Sequence, residues 1–229
     1  MGRSVTLVLV AGTEVLGALP PFPVPTPYRQ EVAEVVAGAR TAYGLDVVVL
    51  RLLHADGPAA TYLAELAGGV PPPLRPVGAD HLRPHPLRAP YAVPGGPAAS
   101  LAWARGVLGP ARANQLRTWN LSSIWRLEPE SGGPAWLKEV PAFFGHEGAM
   151  LTWLAGHLPG LAPTPLAVCG GRLLLADVPG PDRYEAPAAA RVPMLDALHR
   201  VQVAALDRLA ELGALGVPDR RWPVLAAKA

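Results

Sequence analysis

Twenty-eight of the 229 residues are proline, and their placement constrains this chain more than any other feature. Proline fixes φ near about −65°, has no backbone N–H, and pushes its preceding neighbour out of the helical region. A dense run of prolines therefore interrupts helix and central strand alike. Pro20 to Pro27 holds five of them and reads as a loop. Residues 68–96, with Pro71-Pro72-Pro73 and Pro94-Gly95-Gly96, read as a linker. Ala, Gly, Leu, Val and Arg are abundant and Lys is scarce. That is the bias of GC-rich coding sequence, so the prolines are not read as a polyproline recognition surface.

Regular structure has to be built from the stretches between these runs. Val5–Val10 is an apolar strand run, Ala11-Gly12-Thr13 a turn, and Glu14–Leu19 a returning strand. Tyr28–Tyr43 has helical spacing, with Val32, Val35, Val36 and Ala39 on one face and Gly44 placed as a C-cap. Leu45–Leu53 and Thr61–Leu66 read as strands. Residues 1–67 are thus expected to form a small α/β module.

Half of the residues are hydrophobic and the formal net charge is +2, which fits a folded chain of one or two domains. That balance implies neither a nucleic-acid nor a membrane partner. Cys169 is the single cysteine, so disulfides and thiolate metal clusters fall away and a cytoplasmic location is expected. No apolar run reaches the roughly 18 residues a membrane span needs.

The chain beyond residue 96 changes character. Pro97–Leu108 suits a short amphipathic helix. Gln115–Leu127 reads as two strands around a turn, Ser131-Gly132-Gly133-Pro134 as a hairpin turn, and Ala135–Val140 as a further strand. Gly145–Leu158 is helical by spacing, and Pro165–Cys169 with Arg172–Asp177 makes a hairpin around Gly170-Gly171. Pro193–Leu212 gives the longest helix. Its positions Leu195, Leu198, Val201, Val203, Leu206 and Leu209 are mostly inward-facing. Without a larger domain over them, they are expected to stay exposed, as is the surface around Leu173–Leu175.

Two residues in this block carry chemistry. Lys138 lies on a strand, where a desolvated ammonium calls for an anionic partner. Glu147 opens the next helix, where a carboxylate suits the macrodipole. Such a pair would hold the ammonium against phosphates. Solvated charges on a strand end, with Glu139 as neighbour, are the alternative. The turn Asn120-Leu121-Ser122-Ser123 would cover phosphates with N–H groups and hydroxyls, although it lacks a glycine-rich signature.

The ordered motifs Trp119-Asn-Leu-Ser-Ser-Ile-Trp-Arg-Leu127, Ala135-Trp-Leu-Lys-Glu-Val140, His146-Glu-Gly-Ala-Met-Leu-Thr-Trp-Leu154, Pro163-Thr-Pro-Leu166 and Leu173-Leu-Leu-Ala-Asp-Val178 resemble the N-lobe of the aminoglycoside phosphotransferase, or choline kinase-like, family. The resemblance spans roughly residues 115–212. It implies a kinase-like N-lobe of antiparallel sheet and one helix (97–178) and the first helix of an incomplete C-lobe (179–229), and with the α/β module (1–67), which faintly resembles a Nudix fold, and the linker (68–96) the expected chain is α+β. It implies ATP as cofactor, with Mg in a full-length protein, and an unidentified small-molecule acceptor. Ser122 and Ser123 would lie over the phosphates, Lys138 would face them with Glu147 as partner, and Ala176, Asp177 and Val178 would form the adenine-binding hinge. The N-terminal third is similar to an extension found on some actinobacterial members.

The departures are equally specific. The family's His-Gly-Asp…Asn loop does not occur; His199 is followed by Arg200-Val201, and Asp207 and Asp219 lack the family's context. No catalytic base or metal ligand is therefore assigned. The expected function is the N-terminal region of an ATP-dependent small-molecule phosphotransferase, natural truncation or fragment, not competent alone. A non-catalytic, pseudokinase-like binding or regulatory module is the alternative. A degenerate Nudix-type hydrolase is a third: Glu31 and Glu34 are present in the first third, but Val35 stands where a further acid is wanted, which favours a solvated helix face. His81 and His85 are spaced by four, but Pro84 and Pro86 make them linker residues.

Overall fold

A computed structural model describes residues 2–180 and 186–227. The chain has the mixed α+β class expected from its sequence and divides into two compact units, Met1–Ala142 and Phe143–Ala229.

The first unit begins with β1 (Arg3–Ala11), which turns at Gly12 into β2 (Glu14–Ala18). Within the Pro20–Pro27 run lies a short strand that the proline count alone does not suggest, β3 (Phe22–Val24). It pairs with the start of β1, with Pro23 in an edge position that needs no N–H. Then come α1 (Ala33–Tyr43), β4 (Asp46–Asp56) and β5 (Ala59–Gly68). The sheet order is β2-β1-β5-β4, with β1 and β5 parallel and the other pairs antiparallel. Successive residues of a strand point to opposite faces, and here both faces are covered. Val5, Leu7, Leu9 and Tyr62 pack with Val35 and Ala39 of α1. Val8, Val10, Leu50 and Leu63 pack with Val77 and Leu82 on the other side.

Helix α1 starts five residues later than the spacing predicts. Residues 30–32 are drawn into backbone pairing instead: Val32 N–H donates to the Leu116 carbonyl, Thr118 N–H donates to the Gln30 carbonyl, and Glu31 bridges Arg117. The C-terminus is as expected, with Gly44 left-handed at φ 67° and its N–H on the Arg40 carbonyl.

The proline-rich residues 68–96 are packed against this unit. Arg75 exchanges two backbone hydrogen bonds with Ala18, and 3-10 turns form at Ala79–Leu82 and Pro90–Ala92. Tyr91 is fully buried and donates its hydroxyl to the Trp119 carbonyl, 2.9 Å away. Arg51 of β4 donates to the His81 and Ala92 carbonyls. Gly95 then starts α2 (Gly96–Leu108) with a left-handed φ of 76°, and its N–H sits 3.0 Å from the Glu65 carboxylate of β5. That places negative charge at the positive end of the helix dipole. Gly96 has no room for a side chain, because a Cβ there would lie 1.9 Å from the Pro90 carbonyl oxygen.

Strands β6 (Ala111–Thr118), β7 (Ser123–Pro129) and β8 (Ala135–Glu139) follow as an antiparallel meander. Its link to the edge of the N-terminal sheet is made by side chains of β6. Strand β4 is the sheet's outer strand, so its outward backbone groups need partners. The buried Gln115 carboxamide takes the place of a neighbouring strand at Val49: its Nε2 donates to the Val49 carbonyl (2.7 Å) and its Oε1 accepts the Val49 N–H (2.9 Å). Thr118 Oγ1 adds a bond to the Leu50 carbonyl.

The second unit contains α3 (Glu147–His157) and a hairpin of β9 (Pro165–Cys169) and β10 (Arg172–Ala176). Leu173, Leu174 and Leu175 are all buried. This corrects the expectation of apolar surface there: three consecutive buried positions mean both faces of β10 are covered. The single long helix over 193–212 is instead α4 (Ala188–Leu206) and α5 (Leu209–Ala214), followed by α6 (Trp222–Ala226). The break lets α5 meet α3, where Trp153 Nε1 donates to Glu211 (2.9 Å) and Leu212 is buried. On α4 the positions read as mostly inward stay open, Leu195 at 63% and Leu206 at 66% exposure. No helix among the described residues is long and apolar enough to cross a membrane.

Two substitutions test this account. Gln115→Leu should leave the buried Val49 N–H and C=O unmet, at about 1–3 kcal/mol each, and lower the denaturant midpoint at constant m-value; an unchanged midpoint would show that the carboxamide is dispensable. Gly96→Ala should cost about 1–3 kcal/mol by overpacking against a carbonyl that cannot rotate away. Gly106→Ala, in the same helix with open space around it, should stabilise by up to ~1 kcal/mol, so thermal melts of the two should move in opposite directions.

Candidate functional site

Lys138 is the fourth residue of β8, directly opposite Ile124 of β7. The burial pattern of β8 alternates: Ala135, Leu137 and Glu139 are buried, while Trp136 and Lys138 are half-buried on the other face. An ammonium on this face has its stem against a rigid strand and its head within reach of water. Glu139 points the other way and accepts a hydrogen bond from Ser100 Oγ of α2. Strand alternation therefore separates Lys138 from its nearest acidic neighbour in sequence.

The β6–β7 turn is held by tryptophans. Trp119 N–H donates to the Ser122 carbonyl and Trp119 Nε1 to Ser122 Oγ, both at 3.0 Å. Trp125 Nε1 donates to Ser123 Oγ at 3.1 Å. Ser122 is 5% exposed and Ser123 1%. Both hydroxyls thus face inward and serve indole N–H groups, leaving Asn120 as the exposed polar side chain of the turn.

The remaining residues of the proposed nucleotide site lie in the second unit. Glu147 is the first residue of α3 and half-buried. Ala176 ends β10 and donates its N–H to the Thr164 carbonyl at 2.9 Å. Asp177 and Val178 follow in an exposed, non-helical segment. His199 lies exposed on α4, and Asp219 is bonded to Arg221.

The acids weighed as a Nudix cluster are used locally. Glu31 lies outside α1 and is ion-paired with Arg117, while Glu34 accepts the Thr26 N–H at 2.7 Å. Among the described residues, no group of three or more His, Cys, Asp or Glu is arranged to hold a metal ion.

One concavity of the first unit was not foreseen. It has a volume of about 710 Å³ and lies between β4, residues 80–92 and the start of the β6–β7 turn. Three arginines from distant parts of the sequence line it, Arg29, Arg51 and Arg88, with His81 and His85. Arg51 is held down to about 10, by burial first and by Arg88 second. The signal available in the sequence was an arginine within the Val/Leu run of β4. Its partners on the proline-rich segment could not be read, because that segment has no periodicity to place them.

Comparisons of this chain with protein-family models, with curated proteins and with solved structures find no match.

Proposed function

We propose that this chain supplies the nucleotide-binding lobe of an ATP-dependent small-molecule phosphotransferase of the aminoglycoside phosphotransferase-like kind. The observation that supports it best is Lys138 on the third strand of a meander whose first two strands are joined by a tight turn. Phosphoryl transfer asks a protein mainly for positioning and electrostatic stabilisation. A lysine on a strand is fixed in direction, and half-burial strengthens its attraction for a phosphate relative to bulk water.

On this reading ATP, together with Mg, supplies the phosphoryl group. Lys138 neutralises phosphate charge, and backbone groups of the 119–122 turn lie alongside. Residues Ala176, Asp177 and Val178 serve the adenine, and Glu147 supports the lysine. No His-Gly-Asp run occurs in the sequence, so no base and no metal ligands are assigned to this chain. That same observation favours a second reading, a pseudokinase-like module that binds nucleotide without transferring phosphate.

Calorimetric titration of the full chain with ATP, with and without Mg, tests the proposal. Binding in roughly the millimolar range is expected, near −4 kcal/mol. Lys138→Ala should weaken it at least tenfold while leaving the thermal melt unchanged. Equal affinity in the variant would overturn the lysine assignment. Phosphoryl transfer by the chain alone, to any acceptor tried, would exclude the non-catalytic reading.

A further inference from the structure

We propose that the cavity between β4, residues 80–92 and the start of the β6–β7 turn is a binding site for an organic phosphate monoester. This site lies within the first unit and does not rest on the nucleotide reading.

The first argument is charge. Arg29, Arg51 and Arg88 line the cavity against a single carboxylate among its described lining residues, Asp80. Asp80 is already engaged, 2.8 Å from Arg83. The guanidinium charges are thus not neutralised from within. Arg51 uses its NH1 and NH2 groups on the Ala92 and His81 carbonyls, which fixes its position but leaves its charge uncompensated. Arg88 lies near enough to act on it. Two like charges near each other and partly withdrawn from water repel, and an anion bound by both converts repulsion into attraction.

The second argument is an unmet donor. Arg88 Nε is buried and has no hydrogen-bond partner among the described residues. A buried guanidinium donor without a partner is costly, and a phosphate oxygen is the acceptor that matches arginine geometry best. A dianion suits two or three fixed cations better than a carboxylate, which carries one charge.

The third argument is size and lining. At about 710 Å³ the cavity falls within the ~300–1,000 Å³ range of small-molecule sites and has room for more than a bare phosphate. Leu52 and Trp119 line it and remain 39% and 38% exposed. They offer an apolar wall and an indole face to a sugar or base ring.

Titrating the full chain with glucose 6-phosphate, AMP, inorganic phosphate, glucuronate, glucose and adenosine tests the proposal, read by tryptophan fluorescence and by thermal shift. Saturable binding of at least one ester is expected, tighter than inorganic phosphate or glucuronate, and none of glucose or adenosine. The ester that binds identifies the sugar or nucleoside source. Arg88→Gln should weaken binding at least tenfold and abolish the ligand-induced rise in Tm. Should that variant fail to fold, Arg88→Lys, which keeps the charge and loses the buried Nε donor, should weaken binding as well. Lys138→Ala should leave it intact. Failure of both esters to bind, undiminished binding by the arginine variants, equal binding of inorganic phosphate or glucuronate, or loss of binding in Lys138→Ala would each overturn the proposal.

Discussion

The Gln115 carboxamide is the contact on which the arrangement of the first unit depends. Strand β4 ends its sheet, and an outer strand with unpaired N–H and C=O groups either stays in water or finds a surrogate neighbour. Gln115 presents one donor and one acceptor at the spacing of a peptide group and meets both needs of Val49. Few other side chains could. Glutamate lacks the donor, leucine lacks both, and asparagine is a methylene short. The same strand brings Thr118 to the Leu50 carbonyl and Arg117 to Glu31. The meander carrying Lys138 is thereby oriented on the N-terminal sheet through polar contacts, those of Gln115 and Thr118 replacing water on backbone groups.

A second set of contacts explains how so proline-rich a segment is ordered. Prolines withhold donors, so carbonyls in such a stretch tend to lack backbone partners. Here an arginine supplies the donors: Arg51 reaches the His81 and Ala92 carbonyls. Val77 and Leu82 cover the second face of the sheet, and Tyr91 is buried beside α2. The prolines lower the chain entropy lost on ordering, which helps a segment with few backbone bonds of its own. The arginine that holds this segment also gives the adjoining cavity its charge, so one residue serves both packing and electrostatics.

Much of the secondary structure was legible in the sequence because local pattern determines it. The Val/Leu runs of β1 and β4, the glycine that ends α1, the Gly170-Gly171 turn and the Pro97–Leu108 helix all appear near their expected places. The misplacements have non-local causes. Residues 28–32 have helical spacing, yet residues 30–32 pair with β6 across more than eighty residues of chain. The 193–212 helix is interrupted between Leu206 and Leu209, and beyond the break α5 carries Glu211 to Trp153. For the candidate nucleotide residues, strand membership and the orientation of Lys138 follow from alternation. The inward turn of the Ser122 and Ser123 hydroxyls does not, because it depends on two tryptophan side chains choosing them as acceptors.

By itself the sequence determined where the chain could not be regular, which runs would be strands, and that Lys138 would stand on one of them opposite in facing to Glu139. These follow from φ restriction, from apolar periodicity and from the two-residue repeat of a strand. Only the tertiary structure decided that the proline-rich residues 68–96 would pack as part of the first unit, and that Gln115 would complete an outer strand. It alone gathered Arg29, Arg51 and Arg88 around one cavity. Those outcomes rest on hydrogen bonds and charges between residues tens of positions apart, and no local pattern records which buried carbonyl a distant side chain will meet.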